Sequence, residues 1–537
     1  MESLSTDTPY TEGNGELTID SSCPPYLKDR QKKTRQKNYF KKERWRKKSK
    51  KKKKRKKGKK KKDREKNQNQ TLDLPYITQQ DILETFNQIM FSEDDIIREG
   101  QNIPDSLIFD PNRESAVFFG KSDYGEYVGK KDCVDGHVAV VGGSGSGKTT
   151  NNGIPTMFTW KGTIFSFDFK GDLIKFAERR KPKILYFLNG KQNRYFYDPF
   201  YFFKLSEEDK LIQGARELSN AIIPLPRDTP DPFWIESARN VLTGALLYYY
   251  RLGTSFIQAM IQLKTTPLKE VLKNISTDEF ANAFINHDLE LNPKTLSGVS
   301  MELHNHIVVF ATDPIVQDAL STSDENPKEP ITWENLEAQD VFIRIDQSRL
   351  DQWGSVIRLL LIQLIRVLER RPEKYDPCGK NIKPTLLLLD EFPQYGKMDS
   401  LTSALKILRS KNVTFALFFQ SLADLDETYG KDTRRSILDN CPYKVILSAA
   451  DAETQRYCSE LVGTVKTPSM GISLKYDETG NPNGYSLNIT ESREPIIFPH
   501  EFASLSDVIL LCPESERFCR LQKETRYTKQ PPIKKGE

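Results

Sequence analysis

Residues 137–149 read HVAVVGGSGSGKT, so an apolar run leads directly into a glycine-rich loop that ends in lysine and threonine. This matches the phosphate-binding pattern G-x-x-x-x-G-K-[ST], and the polar residues that follow can begin a helix. Glycines let successive backbone N–H groups approach phosphate oxygens, where a side chain would block them. An ordinary flexible loop is the less favoured interpretation. The sequence therefore predicts a nucleoside triphosphate site.

The predicted contacts with the nucleotide come from the loop itself. Lys148 would reach the terminal phosphates, and the Thr149 hydroxyl would ligate Mg²⁺. The residues predicted to contact the nucleotide are Gly142, Gly143, Ser144, Gly145, Ser146, Gly147, Lys148, Thr149 and Thr150. We expect ATP and Mg²⁺ as the cofactors.

A second segment, residues 385–389, carries four consecutive leucines and is followed by Asp390 and Glu391. Such a run is typical of a buried parallel strand, and open α/β sheets bind ligands at the carboxyl ends of their strands. Asp390 would hold Mg²⁺ opposite Thr149, generally through a water, and Glu391 could orient and deprotonate the attacking water. An Asp-Glu pair alone is a weak signal. Downstream of a phosphate-binding loop, it predicts hydrolysis of ATP to ADP and phosphate.

Length and composition limit the class of protein. The 537 residues are enough for two or three domains with a large core. Seven cysteines without a C-x-x-C pair predict reduced thiols rather than a disulfide framework or a zinc site. We find no signal-peptide pattern and no apolar run long enough to span a bilayer. These features predict a cytoplasmic protein unless a partner or a basic segment brings it to a membrane.

The positive charge is concentrated in one segment. Residues 41–66 carry 20 Lys and Arg against three acidic residues, a net of +17, whereas the whole chain is +6 and the remainder therefore −11. Residues 1–72 lack apolar periodicity, which predicts a disordered lysine-rich arm. Such an arm would bind nucleic-acid phosphates or anionic lipid head groups, and the sequence does not choose between them. A solubilising tail is the simpler alternative.

The remaining pattern indicates a three-layer α/β fold with a parallel sheet and an inserted all-α domain. Further strands are predicted at residues 162–167, 341–345, 413–419 and 443–447, the first of them ending at Asp168 where a ligand is expected. Helices are predicted at residues 77–90 and 353–371 and a hairpin tip at 477–484. Helical spacing from Phe233 onward places Trp234 in the core of the insert. The predicted parts are the arm at 1–72, a nucleotide-binding domain in two pieces at 73–205 and 336–537, and the insert at 206–335.

Taken together, these motifs resemble those of the TraG/TraD-type coupling ATPases of conjugation and type IV secretion. The resemblance covers about residues 118–513. It is carried by the order and spacing of the loop at 142–149, Ile154-Pro155, Trp160-Lys-Gly, Asp168-Phe-Lys-Gly-Asp172, Pro232-Phe-Trp234, Asp390-Glu-Phe-Pro-Gln-Tyr-Gly396, Arg409-Ser-Lys-Asn-Val, Gln420-Ser421, Tyr429-Gly430 and Arg493-Glu-Pro-Ile-Ile-Phe-Pro-His-Glu-Phe.

The resemblance has implications for the fold, the assembly and the partners of the protein. It implies a RecA-like P-loop ATPase that forms a homo-hexameric ring and is stimulated by DNA. The ring would move relaxase-bound DNA, or a protein substrate, to the channel of a type IV secretion system. The helical insert would be the cap that faces the substrate. Other members carry two N-terminal transmembrane helices, and this chain has the lysine-rich arm instead. We therefore expect it at the inner face of the bacterial cell membrane, held by a small membrane-anchor protein or by contact of the arm with anionic lipid.

The resemblance also implies roles for two residues outside the motifs already described. Arg409 would be an arginine finger that reaches the site of the neighbouring subunit, and Gln420 would be a polar sensor near the γ-phosphate. The alternative for Arg409 is a surface or DNA-facing arginine.

Two other functions remain open. One is a DNA pump of the FtsK or replicative-helicase type, which the long helical insert and the run at residues 493–502 disfavour. The other is a nucleotide-dependent scaffold that recruits partners without sustained hydrolysis, which Glu391 disfavours.

Overall fold

The computed structural model describes residues 100–204, 208–225, 229–333, 338–376, 382–398, 400–476, 478 and 482–524. The predicted arm at 1–72 and the predicted helix at 77–90 lie outside the described residues. Part of the predicted hairpin tip at 477–484 lies outside them as well.

Strands and helices alternate along the described chain. The strands are β1 (Ile108–Phe109), β2 (Ala116–Lys121), β3 (Tyr127–Lys131), β4 (Val138–Val141), β5 (Thr163–Asp168), β6 (Lys183–Phe187), β7 (Tyr195–Phe196), β8 (Glu329–Pro330), β9 (Val341–Ile345), β10 (Thr385–Leu389), β11 (Val413–Phe419), β12 (Tyr443–Ile446), β13 (Thr464–Tyr476), β14 (Pro482–Pro495), β15 (Val508–Leu511) and β16 (Cys519–Leu521). The α-helices are α1 (Ile154–Thr159), α2 (Asp172–Ala177), α3 (Tyr201–Lys204), α4 (Glu208–Ile222), α5 (Phe233–Arg251), α6 (Phe256–Thr265), α7 (Leu268–Ile275), α8 (Glu279–Ile285), α9 (Pro293–Thr312), α10 (Pro314–Leu320), α11 (Leu350–Glu369), α12 (Leu401–Leu408), α13 (Leu422–Tyr429), α14 (Lys431–Asp439) and α15 (Ala452–Val462). No helix in the described part of the chain combines the length and the apolar character that a membrane crossing requires.

A nine-stranded sheet forms the centre of the fold, in the order β16-β15-β12-β4-β11-β10-β5-β9-β6. The seven strands from β12 to β6 pair in parallel. Beyond β12, β15 pairs antiparallel with β12 and β16 pairs antiparallel with β15. Every residue of β4, β5, β10 and β11 is buried, as expected for parallel strands that are covered on both faces. Because β11 lies between β4 and β10, three strand ends meet side by side at one edge of the sheet.

The two faces of the sheet contribute to two different hydrophobic clusters. Leu387 and Leu389 of β10 pack into one cluster, and Leu386 and Leu388 pack into the other. This separation follows from the alternation of side chains along a strand. The predicted three-layer α/β fold is confirmed.

The inserted helices α4 to α10 lie in the chain between β7 and β9. The strand β8 follows them and pairs in parallel with β7, Tyr195 opposite Glu329. The insert does not have a core of its own, because Val241 and Leu242 of α5 belong to the same cluster as Phe165 and Phe167 of the sheet. The inserted helices are thereby fastened to one face of the nucleotide-binding fold.

The prediction that Trp234 belongs to the core is wrong. Phe233 and Trp234 are 41% and 36% exposed, and their rings meet edge to face with centroids 5.2 Å apart. One side of the indole rests on Gly298 of α9, where an added Cβ would come within 2.4 Å of the ring. The later residues of the same apolar stripe, from Ala238 onward, are buried. The stripe therefore extends one turn beyond the part of α5 that neighbouring elements cover.

Two smaller antiparallel units complete the described chain. Strands β1, β3 and β2 form a three-stranded sheet, and β13 pairs with β14. The last residue pair of that hairpin joins Tyr476 to Pro482, so β14 begins within the segment 477–484 that was predicted as the tip.

Candidate active site

The glycine-rich loop follows β4 at the edge of the sheet where the parallel strands end. The Gly142 N–H donates to the Phe419 carbonyl at 3.2 Å, which joins the start of the loop to the end of β11. A Cβ at Gly142 would lie 2.3 Å from the Ser146 hydroxyl, and one at Gly147 would lie 2.0 Å from the Asn151 amide. Gly147 also has a φ of +93°, a conformation that favours glycine. The loop is therefore a tight cradle that side chains at these positions would disrupt.

Lys148 lies across this cradle. Its Nζ donates to the Gly142 carbonyl at 2.6 Å and to the Gly143 carbonyl at 3.4 Å. Burial lowers the pKa of Lys148, and the carboxylates Glu391 and Asp390 oppose that effect. The Ser146 hydroxyl in the same loop is buried without a hydrogen-bond partner in the described structure. The Lys148 ammonium and the unpaired Ser146 hydroxyl are two donors that fit a phosphate group. A phosphate accepts stronger hydrogen bonds from an ammonium than the loop carbonyls do.

The residues after the loop form a helix, as predicted. Lys148–Gly153 is one π-helical turn that continues into α1. The Asn152 amide donates to the Phe118 and Phe119 carbonyls of β2 at 3.2 and 2.9 Å, so the turn is fastened to the neighbouring sheet. The Thr150 side chain is exposed and donates to the Gly147 carbonyl at 3.3 Å.

Thr149 and Asp390 meet directly. The Thr149 hydroxyl donates to Asp390 Oδ2 at 2.8 Å, across 241 residues of sequence. Burial raises the pKa of Asp390, and the hydrogen bond from Thr149 partly offsets this. A hydroxyl and a carboxylate are hard oxygen ligands of the kind that Mg²⁺ binds. These two residues therefore fit the metal that the sequence predicts.

Glu391 is held on both of its carboxylate oxygens. Lys170 Nζ lies 2.7 Å from Oε1, and Gln420 Nε2 donates to Oε2 at 2.9 Å. Burial tends to raise the pKa of Glu391, but the contacts with Lys170 and Gln420 outweigh it, so the pKa is lowered. Its backbone has a φ of +53°, a strained left-handed conformation for a residue other than glycine. The geometry therefore presents a buried, ionised carboxylate beside Asp390.

The structure brings together five of the predicted site residues: Lys148, Thr149, Asp390, Glu391 and Gln420. Gln420 is in place because it directly follows β11, the strand between the loop strand β4 and the Asp-Glu strand β10.

Arg409 is not among them. It is exposed in the turn before β11, whereas Gln420 follows the other end of that seven-residue strand. Such a strand is about 23 Å long, so Arg409 lies at the opposite edge of the sheet from the site of its own chain. Its charge acts instead on Asp135. Burial raises the pKa of Asp135, but the contacts with Lys374 and Tyr375, together with the charge of Arg409, lower it below its usual value. A role at a neighbouring subunit's site stays a prediction.

Asp168, at the end of β5, has both carboxylate oxygens engaged within its own chain. Its carboxylate accepts hydrogen bonds from the backbone N–H groups of Gly171 at 2.6 Å and Ile174 at 2.9 Å. These are the free donors at the start of α2. Asp168 therefore stabilises the start of that helix.

Two contacts at the site were not predicted. Lys170 follows a strand end where a ligand is expected, but no role was predicted for it. Ser448 accepts a hydrogen bond from the Gly143 N–H at 3.0 Å. The sequence feature that could have identified Lys170 is its position just after β5. This strand pairs with β10, the strand that precedes Glu391, and Phe167 lies opposite Leu389. The sequence around Ser448 carried no comparable signal, because the Ser448 side chain is brought to the loop by the pairing of β12 with β4.

The fold and the site define a class of protein. A glycine-rich loop lies between a strand and a helix, an Asp-Glu pair follows a second strand, and a polar residue follows the strand between these two. This arrangement is a RecA-like P-loop fold. More particularly, the chain belongs to the family described as type IV secretory system conjugative DNA transfer, whose model matches residues 98–523.

The relatives are distant and longer than the matched region. The VirD4 protein of Rhizobium rhizogenes is 24% identical over 415 residues, covering 74% of this chain and 59% of the relative. The probable conjugal transfer protein TraG of Sinorhizobium fredii is 23% identical over 402 residues, 69% of this chain and 59% of that protein. The chain thus spans about three fifths of the length of these relatives.

Among solved structures, the fold is similar to that of the bacterial conjugative coupling protein TrwBdeltaN70 in its unbound form. The TM-score is 0.58 at 15% identity, covering 81% of this chain and 96% of that one. TrwB in complex with the ATP analogue ADPNP gives a TM-score of 0.57 at 14% identity, covering 82% and 98%. At this identity the likeness establishes the shared fold.

Proposed function

We propose that this protein is an ATP-hydrolysing coupling protein that brings relaxase-bound DNA, or a protein substrate, to a type IV secretion channel and moves it there. The observation that carries the proposal is the contact of Thr149 with Asp390, with an ionised Glu391 beside it, in a chain of this family. Related proteins support it: one from Bartonella quintana is named a type IV secretion system-coupling protein, and TrwB has been solved with ADP and Mg²⁺.

Binding of ATP would use the residues of the loop. Lys148 would exchange the carbonyls of Gly142 and Gly143 for phosphate oxygens, and the unpaired Ser146 hydroxyl would gain an acceptor. Thr149 and Asp390 would hold Mg²⁺, which when bound neutralises charge on the phosphates. The direct hydrogen bond between these two residues keeps both oxygens in place beforehand.

Glu391 would act as the general base for the attacking water. Both of its oxygens are engaged, so one of the two contacts has to open before the carboxylate can accept a proton from water. Gln420 is a neutral partner and can turn its amide toward the water or the γ-phosphate. Lys170 keeps the carboxylate ionised in the meantime.

The pH dependence of turnover tests the role of Lys170. Replacing it (Lys170→Met) removes the cation that lowers the pKa of Glu391, so that pKa rises and less of the base is ionised at acidic pH. We therefore expect the acidic limb of the kcat profile to move to higher pH. Steady-state ATP turnover between pH 4.5 and 8 measures it. Lys175→Met, at an exposed lysine of α2 paired with Asp172, is the matched control; identical limbs in all three proteins would refute the role of Lys170.

The basic arm supports a proposal about location. We propose that the protein works at the inner face of the cell membrane, through contact of the lysine-rich segment with anionic lipid or through a small membrane-anchor protein. Deleting residues 28–66 is expected to move most of the protein from the membrane fraction to the supernatant, because this removes the +17 segment. Unchanged membrane association would assign the anchoring to a partner protein.

A direct test of the function uses the full chain in cells that carry the cognate element. Transfer of DNA to recipient cells is scored with the wild-type chain and without it, and ATP turnover of the purified chain is measured with and without single-stranded DNA. Transfer without the chain, or no Mg²⁺-dependent turnover, would contradict the proposal.

A further inference from the structure

A cavity of about 240 Å³ lies between the inserted helices and the segment that follows Glu391. Its walls come from α4 and the residues just after it, from α5, from α11 and from Lys397, Met398 and Ser400. The cavity is separate from the glycine-rich loop, and none of the residues assigned above to ATP binding lines it.

The lining of this cavity is strongly cationic. Arg239, Arg358, Arg366 and Lys397 line it together with a single carboxylate among the described residues, Glu217. Arg366 is already neutralised, because its Nε lies 2.8 Å from Glu217 and its Nη1 2.6 Å from Glu369. Among the described residues of the lining, basic side chains thus outnumber acidic ones four to one.

Arg358 is the most informative of them. Its Nε donates to the Ala221 carbonyl at 3.2 Å, and no carboxylate of the described residues forms an ion pair with it. Burial lowers the pKa of this guanidinium, with no charged neighbour contributing to the shift. A partly desolvated charge without a counter-ion is costly, and an anion in the cavity would offset that cost.

Space beside Arg358 is kept open by two glycines. A Cβ at either Gly354 or Gly396 would lie 3.2 Å from Arg358 Nη1. The Ser400 hydroxyl in the same wall is buried without a hydrogen-bond partner in the described structure. The guanidinium and the hydroxyl are two donors that together suit a phosphate oxygen.

The cavity is connected to the catalytic segment through the backbone. Glu391 is followed by the 3₁₀ turn Phe392–Tyr395, and Gly396 ends that turn with a φ of +74°. The next two residues, Lys397 and Met398, are part of the cavity wall. A ligand in the cavity would therefore touch the chain only six or seven residues from the general base.

We propose that this cavity binds a phosphate of the nucleic-acid backbone and that this contact is the means by which DNA stimulates ATP hydrolysis. The inference rests on the proposed function for the presence of DNA. Apolar side chains of Leu225, Ile362 and Met398 line the same cavity, and they provide a contact that a sugar can use and a free phosphate ion cannot. These contacts favour a phosphodiester over inorganic phosphate.

The test measures binding of a fluorescent single-stranded oligodeoxythymidylate to the full chain without nucleotide, over a series of salt concentrations. Arg358→Gln is expected to weaken binding about tenfold, since a charge-assisted hydrogen bond is lost. It is also expected to reduce the slope of log K against log salt by roughly 0.7, the value for one phosphate contact on a single strand. The lysine-rich arm contributes equally in all variants, so the difference reports on the cavity.

Three further proteins make the test independent of a folding defect in Arg358→Gln. Ser400→Asp adds a negative charge to the cavity and is expected to weaken binding in the same direction. Arg358→Lys keeps the charge and should restore most of the salt slope, and Arg456→Gln, at an exposed arginine of α15, should behave as wild type. The ratio of ATP turnover with and without DNA, measured within each protein, is expected to fall only in Arg358→Gln and Ser400→Asp.

The outcomes separate this inference from the proposed function. Equal affinity and equal salt slope in wild type and Arg358→Gln would overturn the cavity while leaving the coupling-protein proposal in place. Absence of DNA binding by the wild-type chain would count against both. Protection of the wild type against heat by inorganic phosphate or pyrophosphate, lost in Arg358→Gln while DNA affinity is unchanged, would assign the cavity to a free anion and overturn its role in DNA binding.

Discussion

Glu391→Gln is expected to lower steady-state ATP turnover by about 10²- to 10⁴-fold, the contribution typical of a general base, while ATP binding persists. The amide cannot accept a proton from water, although it has nearly the shape of the carboxylate. Thr149, Asp390 and Lys148, which would hold the Mg²⁺ and the phosphates, are left unchanged. The loss should therefore fall on kcat and not on the affinity for ATP.

Turnover by a coupled assay and binding of a fluorescent ATP analogue are the two measurements for this variant. Glu427→Gln, at an exposed carboxylate on α13, is the matched control and should keep wild-type turnover. DNA transfer in cells adds a functional outcome, since a motor loses transfer with the variant and a recruiting scaffold retains it. Wild-type turnover in Glu391→Gln would exclude this residue as the base, and retained transfer without turnover would favour the scaffold.

Arg409→Ala is expected to reduce turnover by about 10³-fold or more if the arginine completes a neighbouring site, the range known for arginine fingers. Within its own chain Arg409 is exposed at the edge of the sheet opposite Glu391 and cannot reach that residue. A large effect of its removal therefore requires a second subunit. This prediction rests on the proposal that the chain forms a homo-hexameric ring.

A mixing experiment distinguishes a site shared between subunits from a simple loss of structure. In a ring assembled from equal amounts of Arg409→Ala and Glu391→Gln chains, about a quarter of the sites would combine an intact Glu391 with a neighbour's intact Arg409, given random placement around the ring. We expect a corresponding recovery of turnover from two nearly inactive proteins. Arg435→Ala, at another exposed arginine, is the control for the first variant. No recovery in assembled rings would leave Arg409 as a surface or DNA-facing residue.

The parts of the site that could be predicted are those encoded by continuous local patterns. The loop at residues 142–149 and the leucine run before Asp390 each combine a strand with the residues at its end. Since parallel strands in one sheet end at the same edge, two such segments are expected to meet. The hydrogen bond between Thr149 and Asp390 confirms that expectation.

Local patterns did not predict the surroundings of a side chain where these depend on which elements pack against a given turn of a helix. Helical spacing identifies the apolar face of α5, but it does not show how far along the helix other elements lie against that face. Trp234 follows the spacing and is nevertheless 36% exposed. The carboxylate of Asp168 accepts hydrogen bonds at the start of the next helix, a role that the strand pattern alone does not indicate.

By itself, the sequence determined the loop chemistry, the Asp-Glu pair, the parallel α/β class and the helical insert, because each depends on residues close together in the chain. Only the tertiary structure decided that Lys170 and Gln420 hold the two oxygens of Glu391, since three strands must first be placed in the order β11-β10-β5. It likewise decided that Arg358 meets Gly396 at a cationic cavity. The physical reason is the same in both cases: these contacts join elements far apart in sequence, and strand order and helix packing set the distances between them.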